Sequence, residues 1–89
     1  MIMVDRPTWP AHGRRWSHLA SDTSYAELHA FAARIGLPPR PFDGDHYDLV
    51  EDRYDDALAA GAVPVTSRAI VVALRAAGLR RRKRSRLAP

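Results

Sequence analysis

The residues of this chain that could do chemistry are mainly aspartates and histidines, and they concentrate around the segment Asp45-His46-Tyr47-Asp48. Seven of the ten carboxylates lie between residues 43 and 56, where only Arg53 offsets them. Carboxylates suit a hydrated divalent cation held against a phosphate, because Mg²⁺ takes oxygen ligands and keeps several waters. This acidic segment is therefore the first candidate for a metal or phosphate site.

The histidines offer a second kind of site. His18 falls on a predicted strand, His29 flanks the apolar face of a predicted helix, and His46 lies inside the acidic segment. A transition metal prefers imidazole together with carboxylate, so His18, His46 and Asp48 could bind one. Their spacing matches no compact metal signature. For His29 the alternative is a half-buried side chain that is hydrogen-bonded to a neighbour.

The composition excludes several classes of protein. A chain of 89 residues, 46% of them apolar, forms one domain with a modest core. The absence of cysteine excludes disulfides and thiolate metal sites, which fits a reducing compartment. The N-terminus lacks the basic flank and apolar run of a secretory signal, and no apolar stretch reaches the ~20 residues that span a bilayer. We therefore predict a cytoplasmic protein with no membrane partner.

The positive charge of the chain comes from its C-terminus. The net charge is +4, yet six cations lie within residues 80–86 and the remaining eight basic residues face ten acids. We predict a single domain over residues 1–79 and a disordered basic tail over residues 80–89. The tail could attract nucleic acid, solubilise the terminus, or pair with the acidic segment of its own or a second copy. Its nucleic-acid-binding candidates are Arg80, Arg81, Arg82, Lys83, Arg84 and Arg86.

Three helices are predicted from apolar spacing and end signals. Ser24 and Glu27 have the capping-box spacing that opens a helix over residues 25–35, and Gly36 follows where a residue with positive φ ends one. The other two helices are predicted from residue 49 or 51 to residue 60, and over residues 68–77.

Four predicted strands alternate with these helices in the order β-β-α-β-α-β-α. Two prolines between residues 6 and 10 predict a loop after the first strand, because proline removes a hydrogen-bond donor. Strands that alternate with helices across short connections indicate a small α/β fold with a mainly parallel sheet of three to four strands. The strands are predicted over residues 1–4, 16–21, 46–50 and 62–65, the last of them at an edge because of Pro64.

Polar residues follow the predicted strands. Because the carboxyl ends of parallel strands share one edge, where ligands bind, we expect these side chains to converge. Helix capping is the alternative for Asp22 and Asp48, and a turn-forming role is the alternative for Asp5. The predicted ligand-binding residues are Asp5, His18, Asp22, His46 and Asp48. The predicted ligands of a divalent metal, Mg²⁺ or Zn²⁺, are Asp5, His46 and Asp48.

The tryptophans lie outside the predicted helices. Trp9, close to Arg14 and Arg15, could stack on a nucleobase. Packing of its loop against the domain is the alternative. Trp16 is predicted to belong to the core.

Several short motifs give the chain a likeness to a known family. They are Asp5, His18-Leu19-x-Ser21-Asp22-Thr23, Glu27-Leu28-His29-Ala30 and Asp45-His46-Tyr47-Asp48. By these motifs the chain resembles the bacterial and phage family catalogued as domain of unknown function 4031, over about residues 1–79. The resemblance implies no assigned activity. Some actinobacterial relatives look to be joined to an HD-type phosphohydrolase domain, which implies a nucleotide or nucleic-acid setting.

A looser likeness is to PIN-type ribonucleases, in which a first strand ends in aspartate and acids gather at the carboxyl edge of a parallel sheet. The matching positions here would be Asp5, Asp22 and Asp48. Such nucleases carry a further acid near the last strand, where this chain has Thr66-Ser67-Arg68. The likeness implies metal-dependent nuclease activity, and the absent acid argues against it.

The sequence leads to three hypotheses about function. The leading one is a module that binds a nucleotide or nucleic acid at a His/Asp-lined edge of its sheet. The enzymatic alternative is a divalent-metal hydrolase of phosphodiesters that uses the same acids, with His46 as general base. The third is an interaction domain whose acidic segment and basic tail pair between copies in a homo-oligomer.

Overall fold

A computed structural model of the chain describes residues 1–80, which form a sheet and three helices. Over these 80 residues the small α/β class and the three helices are confirmed, while the sheet has six strands rather than three or four. The strands are β1 (Ile2–Val4), β2 (Trp9–Ala11), β3 (Arg14–Ser21), β4 (Phe42–Asp43), β5 (His46–Val50) and β6 (Val63–Pro64). The helices are α1 (Tyr25–Arg34), α2 (Tyr54–Ala59), which follows a 3₁₀-helix at Glu51–Arg53, and α3 (Ser67–Ala76).

The sheet is mixed, so the prediction of a mainly parallel sheet is wrong. Its order is β4-β5-β3-β1-β6, with β2 also paired to β3, and within residues 1–80 only the β1–β6 pair is parallel. Nine residues without a helix join β1 to β3. A parallel return needs a dozen or more residues, usually including a helix. The chain therefore turns back antiparallel.

The direction of β5 follows from β4, a two-residue strand that the apolar pattern did not reveal. After α1, β4 runs in the same direction as β3, but a turn at Gly44 and Asp45 then reverses the chain. Gly44 has a φ of 74°, which glycine adopts without strain. β5 therefore inserts between β4 and β3 and pairs antiparallel with both.

β2 occupies the segment that two prolines predicted as loop. It pairs with β3 through a two-residue turn at His12 and Gly13, whose φ values of 53° and 73° belong to the hairpin turns that match strand twist. Among the described residues β2 pairs with β3 alone, so its other side needs no amide donors. Pro10 is tolerated there for that reason.

The two faces of the sheet have different covers. On one face, which we call the closed face, α1 and α2 bury a core that includes Leu19, Leu28 and Leu49. On the other, which we call the open face, α3 packs on β1 and β3 through Ile70 and Leu74. Beyond α3 the open face stays partly exposed, notably at Trp9, Trp16 and Asp48.

The helix ends mostly follow the predicted signals. Ser24 Oγ accepts from the amide of Glu27 (3.0 Å) at the start of α1, Gly36 follows its end with a φ of 79°, and Thr66 caps α3. The capping role proposed for Asp48 is wrong, because Asp48 lies inside β5. None of the helices within residues 1–80 has the length and apolar character that crossing a membrane requires.

Candidate functional site

Asp5, directly after β1, anchors the first part of the candidate site. Its side chain is 2% exposed and accepts hydrogen bonds from the backbone amide of His18 (2.6 Å), from the His18 ring at Nδ1 (2.7 Å) and from the hydroxyl of Ser67 (2.5 Å). The β1–β3 pairing brings His18 beside Asp5, and β6, parallel to β1, leads to Ser67 at the start of α3. A buried carboxylate requires such donors, so these contacts fix all three side chains.

The contact between Asp5 and His18 shifts the pKa of both groups. Burial acts to raise the pKa of Asp5, but hydrogen bonds from the His18 ring, from Ser67 and from the His18 amide outweigh it and lower the pKa. The hydrogen bond to Asp5 raises the pKa of His18 against the effect of burial; Asp48 raises it further and Arg80 lowers it. Because an ionised carboxylate only accepts, Nδ1 of His18 carries a proton. Its Nε2 has no hydrogen-bond partner among residues 1–80.

His46 lies next to His18 on the open face. The ring centroids are 5.0 Å apart, edge to face. The β3–β5 register places Asp48 opposite His18, and His46 precedes Asp48 by two residues and so shares its face. Nδ1 of His46 is 2.8 Å from Oδ1 of Asp45, and its Nε2 is 3.2 Å from Oδ1 of Asp48. Both ring nitrogens of His46 therefore contact carboxylates.

Arg80 borders a small cavity between these groups. Its Nε and Nη2 lie 2.8 and 3.3 Å from the two carboxylate oxygens of Asp45. Burial acts to raise the pKa of Asp45, but hydrogen bonds from Arg80 and His46 outweigh it and lower the pKa. Pockets for whole small molecules measure roughly 300–1,000 Å³, and this cavity of about 90 Å³ suits a water, an ion or part of a larger ligand. It is lined by His18, His46, Ser67, Ile70, Val71 and Arg80.

The structure brings four of the five predicted ligand-binding residues together and separates Asp22 from them. Because β1 and β3 are antiparallel, Asp22 follows β3 at the edge opposite to Asp5. Its carboxylate lies 2.7 Å from the N-terminal amine of Met1, a contact that lowers the pKa of Asp22. The capping role proposed for Asp22 is also wrong, since Ser24 caps α1. The four residues that meet are Asp5, His18, His46 and Asp48.

The three predicted metal ligands do not form one group, because three donors already surround Asp5. Within residues 1–80, the group whose ligand atoms all lie within 4.8 Å of one another is Asp43, His46 and Asp48. Asp43 lies directly opposite His46 across the β4–β5 hairpin. Asp43 was not among the predicted ligands, because the apolar pattern does not reveal β4. The available signal was Gly44, a turn residue between Asp43 and His46.

Two tryptophans lie on the open face, on the side of His18 opposite to His46. Trp9 and Trp16 stack with their ring centroids 5.8 Å apart, and Trp9 lies 5.9 Å from His18. Trp16 is only partly buried, so its prediction as a core residue is wrong. A cleft of about 490 Å³ beside the tryptophans also reaches Arg40. The four rings, which we call the ring row, are Trp16, Trp9, His18 and His46.

The other predicted groups lie away from the ring row. His29 is exposed and is hydrogen-bonded to Tyr47 of the closed face (Nδ1 to hydroxyl, 2.6 Å). Farther along the acidic segment, Asp52 pairs with Arg14 at the surface (3.0 Å). Some carboxylates of the acidic segment therefore lie at the candidate site, as Asp45 and Asp48 do, and others, such as Asp52, lie at the surface. The predicted tail residues outside the described part of the chain are Arg81, Arg82, Lys83, Arg84 and Arg86.

Comparison with known proteins gives a family and no activity. A family model described as a protein of unknown function (DUF4031) matches residues 2–77. That range includes all of the ring row and the three carboxylates around His46. No curated protein and no solved structure matches the chain.

Proposed function

Since the chain belongs to the DUF4031 family, whose function is unknown, we propose from its geometry that it binds a nucleotide or nucleic acid on the open face of its sheet. The observation that carries this proposal is the ring row, which runs from two stacked tryptophans to two adjacent imidazoles beside Arg80. Such a row offers stacking surfaces at one end and, at the other, two imidazoles next to the Arg80 guanidinium. These groups complement the two parts of a nucleotide, its aromatic base and its anionic phosphate.

The tryptophan end of the ring row suits nucleobases. Aromatic side chains in single-strand binding sites stack on bases without sequence preference, at about 1–3 kcal/mol per base. The neighbouring cleft, about 490 Å³, has the volume of a small-molecule pocket. Arg40 lines it, and a guanidinium can both stack on a base and contact phosphate. The cleft therefore has the volume and the lining residues to bind a nucleobase at the tryptophan end.

The histidine end suits a phosphate group. Arg80 lines the small cavity, and Asp5 favours the protonated form of His18 by raising its pKa. The three carboxylates around His46 oppose an anion. Arg80 neutralises Asp45, which leaves Asp43 and Asp48 as the opposing charges, so protonation of His18 matters for phosphate binding. We therefore expect phosphate affinity to rise as pH falls through the pKa of His18.

Titration with labelled RNA, DNA and nucleotides at two salt concentrations tests this proposal. Trp9→Ala should weaken binding about 5- to 150-fold, which corresponds to the loss of one stacked base. His18→Gln should weaken binding and reduce its dependence on pH. His29→Gln changes a histidine outside the ring row and should bind like the wild type. Absence of binding to every ligand, with and without Mg²⁺, contradicts the proposal.

Hydrolysis of phosphodiesters is a second candidate, and the Asp5–His18 contact is the observation that favours it. A carboxylate on Nδ1 orients an imidazole whose Nε2 can then accept a proton from an attacking water. We assign the base to His18 rather than to His46, because both nitrogens of His46 contact carboxylates. Ser67 donates to Asp5 and not to His18, so the arrangement does not resemble a serine-nucleophile triad.

A cleavage assay with divalent metal ions and single-stranded RNA or DNA tests this second candidate. His18→Gln should abolish cleavage in a variant that circular dichroism shows to be folded, and His29→Gln should cleave like the wild type. Equal cleavage by His18→Gln and the wild type would exclude His18 as the base.

Pairing between copies is less well supported. The contact of Arg80 with Asp45 is made within one chain, so part of the acidic segment already has a basic partner. If copies nevertheless pair through the tail, deletion of residues 81–89 should lower the molecular mass measured by light scattering at low salt. A monomeric full-length chain at low salt excludes this alternative.

A further inference from the structure

We propose that Asp43, His46 and Asp48 form a binding site for a divalent transition-metal ion of the Zn²⁺ class. The site does not depend on nucleic-acid binding. It lies on β4 and β5, at the far end of the ring row from the tryptophans.

The distances between the ligand atoms suit a shared ion. One ligand atom from each of the three residues lies within 4.8 Å of the other two. Nε2 of His46 and Oδ1 of Asp48 are 3.2 Å apart. Two ligands bound to Zn²⁺ at ~2.0–2.2 Å in tetrahedral geometry are about 3.3–3.5 Å apart. His46 and Asp48 therefore need little movement to bind one ion.

The backbone explains why these three residues meet. Asp43 and His46 are paired residues on either side of the two-residue turn at Gly44 and Asp45, and paired residues of antiparallel strands carry their side chains on the same face. Asp48 follows His46 by two residues on β5, which keeps it on that face as well. The candidate ligands are thus held by a paired hairpin rather than by a long loop.

A group outside the ligand set orients His46. Nδ1 of His46 lies 2.8 Å from Asp45, whose side chain is 14% exposed and is held by Arg80. Histidines that bind metals commonly donate the other ring N–H to a carboxylate, which fixes the tautomer and the ring orientation. This contact directs Nε2 of His46 toward Asp48, where the ion would lie.

Charge and ligand type identify the class of ion. Neither Asp43 nor Asp48 pairs with a lysine or arginine within residues 1–80, so two negative charges are available to a divalent cation. An imidazole ligand favours Zn²⁺ and related ions over Mg²⁺, which prefers oxygen ligands alone. Three protein ligands leave one position for water or a ligand oxygen, and the neighbouring His18 ring lies 5.0 Å from that of His46.

Isothermal titration of the metal-free full-length protein with ZnCl₂, and separately with MgCl₂, tests the site. We expect one Zn²⁺ per chain and much weaker binding of Mg²⁺. Asp43→Asn, His46→Gln and Asp48→Asn should each weaken Zn²⁺ binding about tenfold or more. Asp55→Asn changes an exposed carboxylate of the acidic segment, and His29→Gln changes a histidine elsewhere; both should bind Zn²⁺ like the wild type.

Asp45→Asn separates a positioning role from ligation. It should weaken Zn²⁺ binding about 10- to 100-fold through loss of the carboxylate behind His46. The visible spectrum of the Co²⁺-loaded protein should keep its band positions in Asp45→Asn and change in Asp43→Asn. Asp43 is exposed, so Asn should be tolerated there, and circular dichroism of each metal-free variant checks the fold. No stoichiometric binding of Zn²⁺, or unchanged binding in both Asp43→Asn and His46→Gln, overturns the proposal.

Discussion

The closed and open faces of the sheet are built from the same strands but differ in what their side chains contact. On β3, Leu19 is fully buried under α1 and α2, while the adjacent His18 is 33% exposed on the open face. On β5, Leu49 is fully buried on the closed face, and the adjacent Asp48 is partly exposed on the open face. Apolar packing stabilises the closed face. On the open face beyond α3, the side chains contact one another through aromatic stacking, hydrogen bonds and ion pairs. Alternation along a strand therefore gives neighbouring residues separate roles.

This difference separates stability from binding. Closed-face substitutions should change the free energy of unfolding and leave the affinity of a folded protein intact. Open-face substitutions should do the reverse, except at buried Asp5 and at His18 and Ser67, whose hydrogen bonds to Asp5 also stabilise the fold. Four measurements test this separation, from the largest expected change in stability to the smallest.

The largest effect on stability should come from Leu49→Ala on the closed face. Leu49 is fully buried, and truncation leaves a cavity, so we expect a loss of about 2–5 kcal/mol of unfolding free energy. Urea denaturation measures it. Asp48→Asn, the adjacent open-face residue, is the matched control and should cost less than 1 kcal/mol. Similar losses for the two variants would contradict the division between the faces.

Asp5→Asn should have the next largest effect. The amide cannot accept at both oxygen positions, so at least one of the donors from His18 and Ser67 loses its partner. Burying an unsatisfied group costs about 1–3 kcal/mol, and we expect a loss of unfolding free energy in that range. Ser67→Ala removes only one neutral donor and should cost less. If Asp5→Asn leaves stability unchanged, the Asp5 carboxylate does not hold the site together.

The free energy of unfolding should depend on pH because of the contact between Asp5 and His18. The lowered pKa of Asp5 stabilises the fold above 3.8, its unperturbed value, and that contribution is lost as pH falls through the folded pKa. The raised pKa of His18 stabilises the fold below 6.5, and that contribution is lost as pH rises through the folded pKa. Their combined contribution should be greatest between pH 3.8 and 6.5, measured by urea denaturation. His18→Gln should remove the decline on the alkaline side, and a decline that persists would have another source.

The smallest effect on stability should come from Arg80→Gln. The guanidinium is 31% exposed, and ion pairs near the surface contribute about 0.2–1 kcal/mol. A thermal melt should therefore change little, while the affinity for a phosphate ligand falls measurably in the titrations described above. Arg75→Gln, on the exposed side of α3, is the control for loss of charge. Equal affinities for the two variants would remove Arg80 from the candidate site.

The sequence predicted the longer elements well, because each carried both an apolar pattern and an end signal. α1 has Ser24 at its start and Gly36 after its end, and β5 was predicted over the residues that form it. β2 and β4 are as short as β1 and β6 but were missed, because Pro10 interrupts β2 and Asp43 follows Phe42 in β4, so neither shows an apolar run. Their turns, at His12-Gly13 and Gly44-Asp45, carried the only signal.

The candidate site was predicted in large part, but for the wrong reason. Asp5, His18, His46 and Asp48 meet through the register of antiparallel strands, not at a shared carboxyl edge. Strand direction decides which polar residues share an edge, and local sequence does not determine it when a hairpin intervenes. For the same reason Asp22 was placed at the site in error and Asp43 was overlooked.

The pairing of β3 with β5 has a consequence for how this molecule could change over evolutionary time. A slip of one residue between these strands would turn the imidazoles toward the apolar core and the leucines toward water. Leucine packing under α1 and α2 opposes any such slip. Selection for a well-packed interior therefore also maintains the spacing of the histidines and aspartates, and the exposed side chains can diversify on a frame whose alignment they do not need to maintain.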